Sequence, residues 1–91
     1  MTFQKRLRKV LVAGNLTVAD LARWFDRPDP TVRGWVENGG QPGGGPLDIK
    51  QAHDLLATLE KLIRGGKNLP LPRLPPSERL KRLRDLRRRL G

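Results

Sequence analysis

The side chains with the most to offer chemically are cations. Lysine and arginine number 19 against 9 aspartate and glutamate, a formal net charge of +10 over 91 residues. They gather in three places: Lys5, Arg6, Arg8 and Lys9 near the start, Arg23, Arg27 and Arg33 in the first half, and Arg79, Lys81, Arg82, Arg84, Arg87, Arg88 and Arg89 at the end. A guanidinium is a planar fork of N–H donors that fits a phosphate or the edge of guanine, and an ammonium is a mobile point charge. Folding does not ask for such an excess, because like charges repel more strongly in a compact state. The usual reason is a polyanionic partner, most commonly nucleic acid. The bland alternative is a solvated surface.

Other chemistry has little to work with. Cysteine is absent, which removes disulfides, thiolate nucleophiles and sulfur-ligated metal. His53 is the only histidine and reads as a surface residue with no second imidazole to share a metal. No nucleophile–base pair, carboxylate pair or metal cluster can be assembled, so the expectation is a non-enzymatic protein with neither cofactor nor metal. The stretch "GGQPGGGP" lacks the Gly-Lys-Ser/Thr of a phosphate-cradling loop and a preceding strand, and reads as a connector. Trp24 and Trp35 read as core anchors. There is no apolar run of secretory or membrane-spanning length, so the expected location is the cytoplasm, or the host cytoplasm if the chain is phage-encoded.

The elements that must position these cations are helices. "FQKRLRKVLVA" sets Phe3, Leu7, Val10 and Leu11 on one face, predicting a helix over 3–13 that Gly14 and Asn15 end. Thr17 and Asp20 form a short capping box for "VADLARWF". In "RPDPT", Asp29 is placed to cap a third helix with Pro30 at its first position, running to Glu37 or Asn38 with Val32, Trp35 and Val36 as its apolar residues. Asp48, with Gln51, is expected to start the longest helix. Its stripe of Ile49, Ala52, Leu56, Leu59 and Ile63, widened by Leu55 and Leu62, either fills the core or pairs with a second copy. "KNLPLPRLPP" reads as an extended spacer. Ser77 is expected to cap a last helix with Leu80, Leu83, Leu86 and Leu90 as a narrow stripe among arginines. The resulting expectation is an all-α chain: a bundle of about four helices over 1–66, a proline-rich linker over 67–76 and a basic amphipathic helix over 77–91.

The joined stretch "LTVADLARWFDRPDPTVRGWVENG" resembles the helix-turn-helix of the lambda-repressor/Cro-like (XRE) superfamily. Leu21 and Ala22 match the apolar and small positions of its first helix, Phe25 the apolar residue before the turn, and Val32 the β-branched core residue of the second. "GWVENG" is similar to the family's Trp-Glu-x-Gly ending. The stretch departs from the pattern at the turn, where Asp26 stands for the usual glycine and Arg27 for an apolar residue. The resemblance implies double-stranded DNA as partner and places Asp29, Pro30, Thr31, Arg33 and Gly34 at the base-contacting slots. Of these, Thr31 and Arg33 are equipped for base contact, with Arg33 suited to guanine. Arg23, Arg27, Lys5, Arg79, Arg82, Arg87, Arg88 and Arg89 are the expected further DNA contacts. The implied role is a small transcriptional regulator of phage or mobile-element type, acting as a homodimer or higher oligomer. Two other readings stay open: a phage DNA-handling factor (a terminase small subunit or an excisionase-like architectural protein), and a virion-associated structural protein whose basic tail docks on a protein partner.

Overall fold

The computed structural model describes residues 2–66, 69 and 71–90, and builds them into five α-helices: α1 (Phe3–Ala13), α2 (Val18–Phe25), α3 (Asp29–Glu37), α4 (Pro46–Gly65) and α5 (Pro76–Leu90). Lys67, Asn68 and Pro70 of the expected linker, Gly91 and the side chain of Leu90 lie outside the described residues.

The ends of α1 and α2 follow from local chemistry. The Thr2 hydroxyl accepts from the Lys5 N–H, and α1 stops at Gly14, after which Asn15 turns the chain at φ 54°. The Thr17 hydroxyl accepts from the Asp20 N–H at 3.1 Å while the Asp20 carboxylate accepts from the Thr17 N–H at 2.9 Å. That closes the expected capping box.

Three starts differ from expectation for one reason, proline. Asp29 does not cap α3; it is the first helical residue, and the Pro28 carbonyl takes the N–H groups of Thr31 and Val32 instead. Pro28 already holds φ −60° and ψ 145°, so the chain enters the helix one step early, and the Asp29 carboxylate faces the positive end of the helix dipole. Likewise α4 begins at Pro46, two residues ahead of Asp48, whose carboxylate reaches back to the Gly45 N–H at 3.1 Å. Helix α5 begins at Pro76, ahead of Ser77, with the Pro75 carbonyl receiving the Glu78 and Arg79 N–H groups. In each case a ring with no N–H to leave unpaired sits in the first turn.

One core joins all five helices. Leu7, Leu21, Val32, Leu56 and Leu59 are fully buried, and Trp24 and Trp35 are 1% and 4% exposed, as anchors must be. The rings of Phe3, Phe25 and Trp35 meet edge-to-face with centroids 5.6–6.4 Å apart, the arrangement ring quadrupoles favour. The Trp24 indole N–H donates to the Leu55 carbonyl at 3.0 Å and so ties α2 to α4. His53 is half-buried, its ring tilted on Phe3 at 5.0 Å, so it packs more than the surface reading allowed. On α4 only part of the stripe is spent inward: Ala52, Leu56 and Leu59 are buried while Ile49 is exposed.

The proline-rich segment is no free spacer. Leu69 and Leu71 enter the core at 1% and 2% exposure, the Leu71 N–H donates to the Gly14 carbonyl, and the Asn15 amide donates to the Leu71 carbonyl. Helix α5 then lies on α2 and buries Leu83 and Leu86. The Cα radius of gyration is 12.3 Å, close to the roughly 12 Å of a packed chain this long; an arm held away would raise it. The bundle, linker and last helix are all present, but the last helix is packed into the bundle.

Candidate nucleic-acid interface

Residues 26–28 join α2 to α3, two short helices that pack on each other. Asp26 sits in the left-handed region at φ 57°, ψ 50°, the conformation a glycine takes there with less strain. Ala22, 2% exposed, lets the pair approach. Val32, Trp35 and Val36 turn inward, and Asp29, Pro30, Thr31, Arg33 and Glu37 are exposed. Two side chains of α1 finish the far end of α3: the Gln4 amide and the Arg8 guanidinium both donate to the Val36 carbonyl at 2.9 Å. Arg8 thereby complements the negative end of the α3 dipole.

The exposed surface of α3 is not uniform. At 3.6 residues per turn, exposed Pro30 and Glu37 and half-buried Gly34 form the ridge opposite its core face. Arg33 and Thr31 stand on opposite flanks, because residues two apart do not share a face. Arg33 also lies four residues from both Asp29 and Glu37. The structure therefore exposes both expected base readers but does not bring them together. Lys5 and Arg23 are exposed and Arg27 is half-buried.

The cations of α5 sort into three groups. Arg79 is not available to DNA. Its Nη2 donates to the Asp20 carboxylate at 2.8 Å and its Nε to the same oxygen at 3.2 Å, with a further bond to the Asn15 carbonyl. The Asp20 side chain is 3% exposed and that of Arg79 13%; a buried carboxylate needs a full set of donors, and Arg79 completes it. Arg82 and Arg89 are exposed on the flank of α5 away from the groove, beside Glu78 and Asp85. Arg87 and Arg88 instead line a groove of about 670 Å³ between α2 and α5, together with Lys81, Arg84 and, from α2, Arg23 and Asp26. Lys81 and Arg84 are groove cations that the sequence reading did not single out. Their signal was the spacing Lys81, Arg84, Arg88, which is one helical face.

Across the molecule, Arg6 on α1 meets Glu60 on α4 at 2.5 Å and 3.2 Å. Its hydrogen bond holds the Glu60 carboxyl below the ordinary carboxylate range, with burial opposing the shift in part. Among the described residues no helix is long and apolar enough to cross a membrane, and no cluster of three or more His, Cys, Asp or Glu side chains is placed to hold a metal ion. Comparison with protein-family models, curated proteins and solved structures gives no match.

Proposed function

We propose that the chain is a non-enzymatic protein that binds double-stranded DNA, with α3 presented to the major groove, and that its role is transcriptional regulation as an oligomer. The observation that carries the reading is α3 itself. A short helix held from within by Val32, Trp35 and Val36 and capped from behind by Gln4 and Arg8 leaves Asp29, Pro30, Thr31, Arg33 and Glu37 exposed on its other sides. The net charge of +10 supplies the attraction to phosphate. A second reading, a packaging or architectural factor that holds DNA chiefly by its backbone, is favoured by the ridge of Pro30 and Gly34, which has no side-chain donor for a base edge.

Selection from a randomised duplex pool, followed by titration of the selected and a scrambled site, tests both. For a regulator, Arg33→Ala weakens the selected site by about 1–3 kcal/mol and leaves the scrambled site little changed, the cost of one bidentate base contact. Equal losses on both sites would reject the reader and support the backbone holder. Failure of any duplex to bind would reject DNA altogether.

A further inference from the structure

We infer that the groove between α2 and α5 is a second nucleic-acid site, one that grips the phosphates of a single DNA strand beside the segment facing α3. The choice of ligand rests on the DNA reading above. Among the described residues five cations, Arg23, Lys81, Arg84, Arg87 and Arg88, line the groove against one carboxylate, Asp26. That imbalance is more than the arginine content of the helix, because α5 keeps its acids out of the groove lining. Its two acids, Glu78 and Asp85, lie toward the other flank with Arg82 and Arg89, and neither lines the groove, although Asp85 is four residues from Lys81 and three from Arg88. A surface charged only for solubility mixes signs on every face.

The dimensions fit a strand. From Lys81 to Arg88 the helix rises about 10 Å at 1.5 Å per residue, and one strand of duplex carries a phosphate about every 3.4 Å along its axis. Lys81, Arg84 and Arg88 thus span enough length to meet more than one phosphate of a strand, with Arg23 on the α2 wall. Placement links the groove to α3: Arg23 and Asp26 stand at the end of α2, and α3 begins three residues after Asp26.

The competing occupants fit less well. An acidic protein would need an apolar anchor for affinity, and among the described residues the groove lining offers only Leu80. A lipid bilayer would need an exposed apolar face on α5, but Leu83 and Leu86 are spent against α2.

The test compares two charge-matched double variants of the full chain by fluorescence anisotropy with labelled duplex across a range of salt. Arg84→Gln/Arg88→Gln removes two of the five groove cations, and the outer pair, Arg82→Gln/Arg89→Gln, removes the same charge from the other flank of α5. Glutamine keeps helix propensity, and circular dichroism with melting checks that both variants fold. The groove pair is expected to flatten the slope of log K against log salt by about two units, near one per lost phosphate contact. It should weaken selected and scrambled duplex alike, while the outer pair moves the slope by less than half as much. Equal effects of the two pairs, or no effect of either, would overturn the groove site, as would poly-glutamate displacing duplex as well as unlabelled duplex of equal charge. Arg33→Ala, run alongside, separates the readings. If it leaves site preference intact while the groove pair flattens the slope, the reader fails and the groove stands. If it abolishes preference while the two pairs act alike, the reader stands and the groove fails. If no duplex binds, both fail.

Discussion

Gly34, half-buried, occupies the middle of the ridge of α3 opposite the core, where an added methyl would meet nothing within 4 Å. Its backbone is helical, so neither packing nor an unusual φ asks for glycine, and glycine inside a helix costs about 1 kcal/mol relative to alanine. What glycine does offer is close approach of another surface. We therefore expect Gly34→Ala to raise stability by about 0.5–1 kcal/mol and to weaken duplex binding. Thermal melts and anisotropy on the same sample check the two signs, and tighter or unchanged binding would mean that the ridge does not touch DNA. Arg79 works in the opposite sense. Its removal strands Asp20, and losing one partner of a buried ion pair costs about 3–5 kcal/mol. Arg79→Met should lower the melting temperature sharply, and Asp20→Asn/Arg79→Met should recover part of the loss in a double-mutant cycle. Circular dichroism decides it: a melting temperature equal to that of the parent would return Arg79 to the exposed cations. The sequence could not separate Arg79 from Arg82 or Arg89, because all three sit in one basic run. What distinguishes Arg79 is that α5 brings it to an acid 59 residues away.

At the scale of elements, the helices were legible wherever the determinant was local. The capping box of α2 and the period of α1 lie within a few residues; α1 has the expected bounds, and α2 starts after the expected cap but ends at Phe25, short of the expected Asp26 or Arg27. The docking of α5 was not legible. A leucine stripe says that one face must be covered and is silent about what covers it, and the linker's prolines read as stiffness when the leucines between them do the anchoring. The site was legible to the same degree: Arg33 and Thr31 emerge exposed, whereas the groove exists only once α2 and α5 are adjacent. The contact of α1 with α4 supplies a pH test of the packing. Arg6 lowers the pKa of Glu60 in the folded state, so the pair stabilises the fold above the unfolded carboxyl value of about 4.3. The contribution disappears as pH falls through the lower folded value. Both side chains are roughly a quarter exposed, which limits the effect to about 1 kcal/mol. Glu60→Gln should cost that much at neutral pH and little at pH 3, measured by urea unfolding at the two pH values. An equal cost at both would show that the carboxylate charge is not what joins the helices.

At the scale of the whole molecule, the fold must hold together a net charge of +10 with five of its cations around one groove. Among the described residues two tertiary ion pairs oppose that repulsion, Arg6–Glu60 and Arg79–Asp20. Salt acts on the two sides unequally. The Debye length shrinks from about 10 Å at 0.1 M to about 3 Å at 1 M, so interactions across open solvent are screened first and buried pairs least. Lys81, Arg84 and Arg88 are exposed, whereas Asp20 is 3% exposed beneath Arg79. Repulsion should therefore fade faster than attraction. We expect the melting temperature to rise by several degrees between low and about 0.5 M sodium chloride, a gain near 1 kcal/mol in a domain of this size. The same titration should weaken duplex binding, since released counterions drive it. Opposite signs in stability and affinity are the mark of a fold whose excess charge serves a polyanion. If salt instead lowers the melting temperature, the ion pairs outweigh the repulsion, and the charge excess is dispersed enough to be borne without a partner.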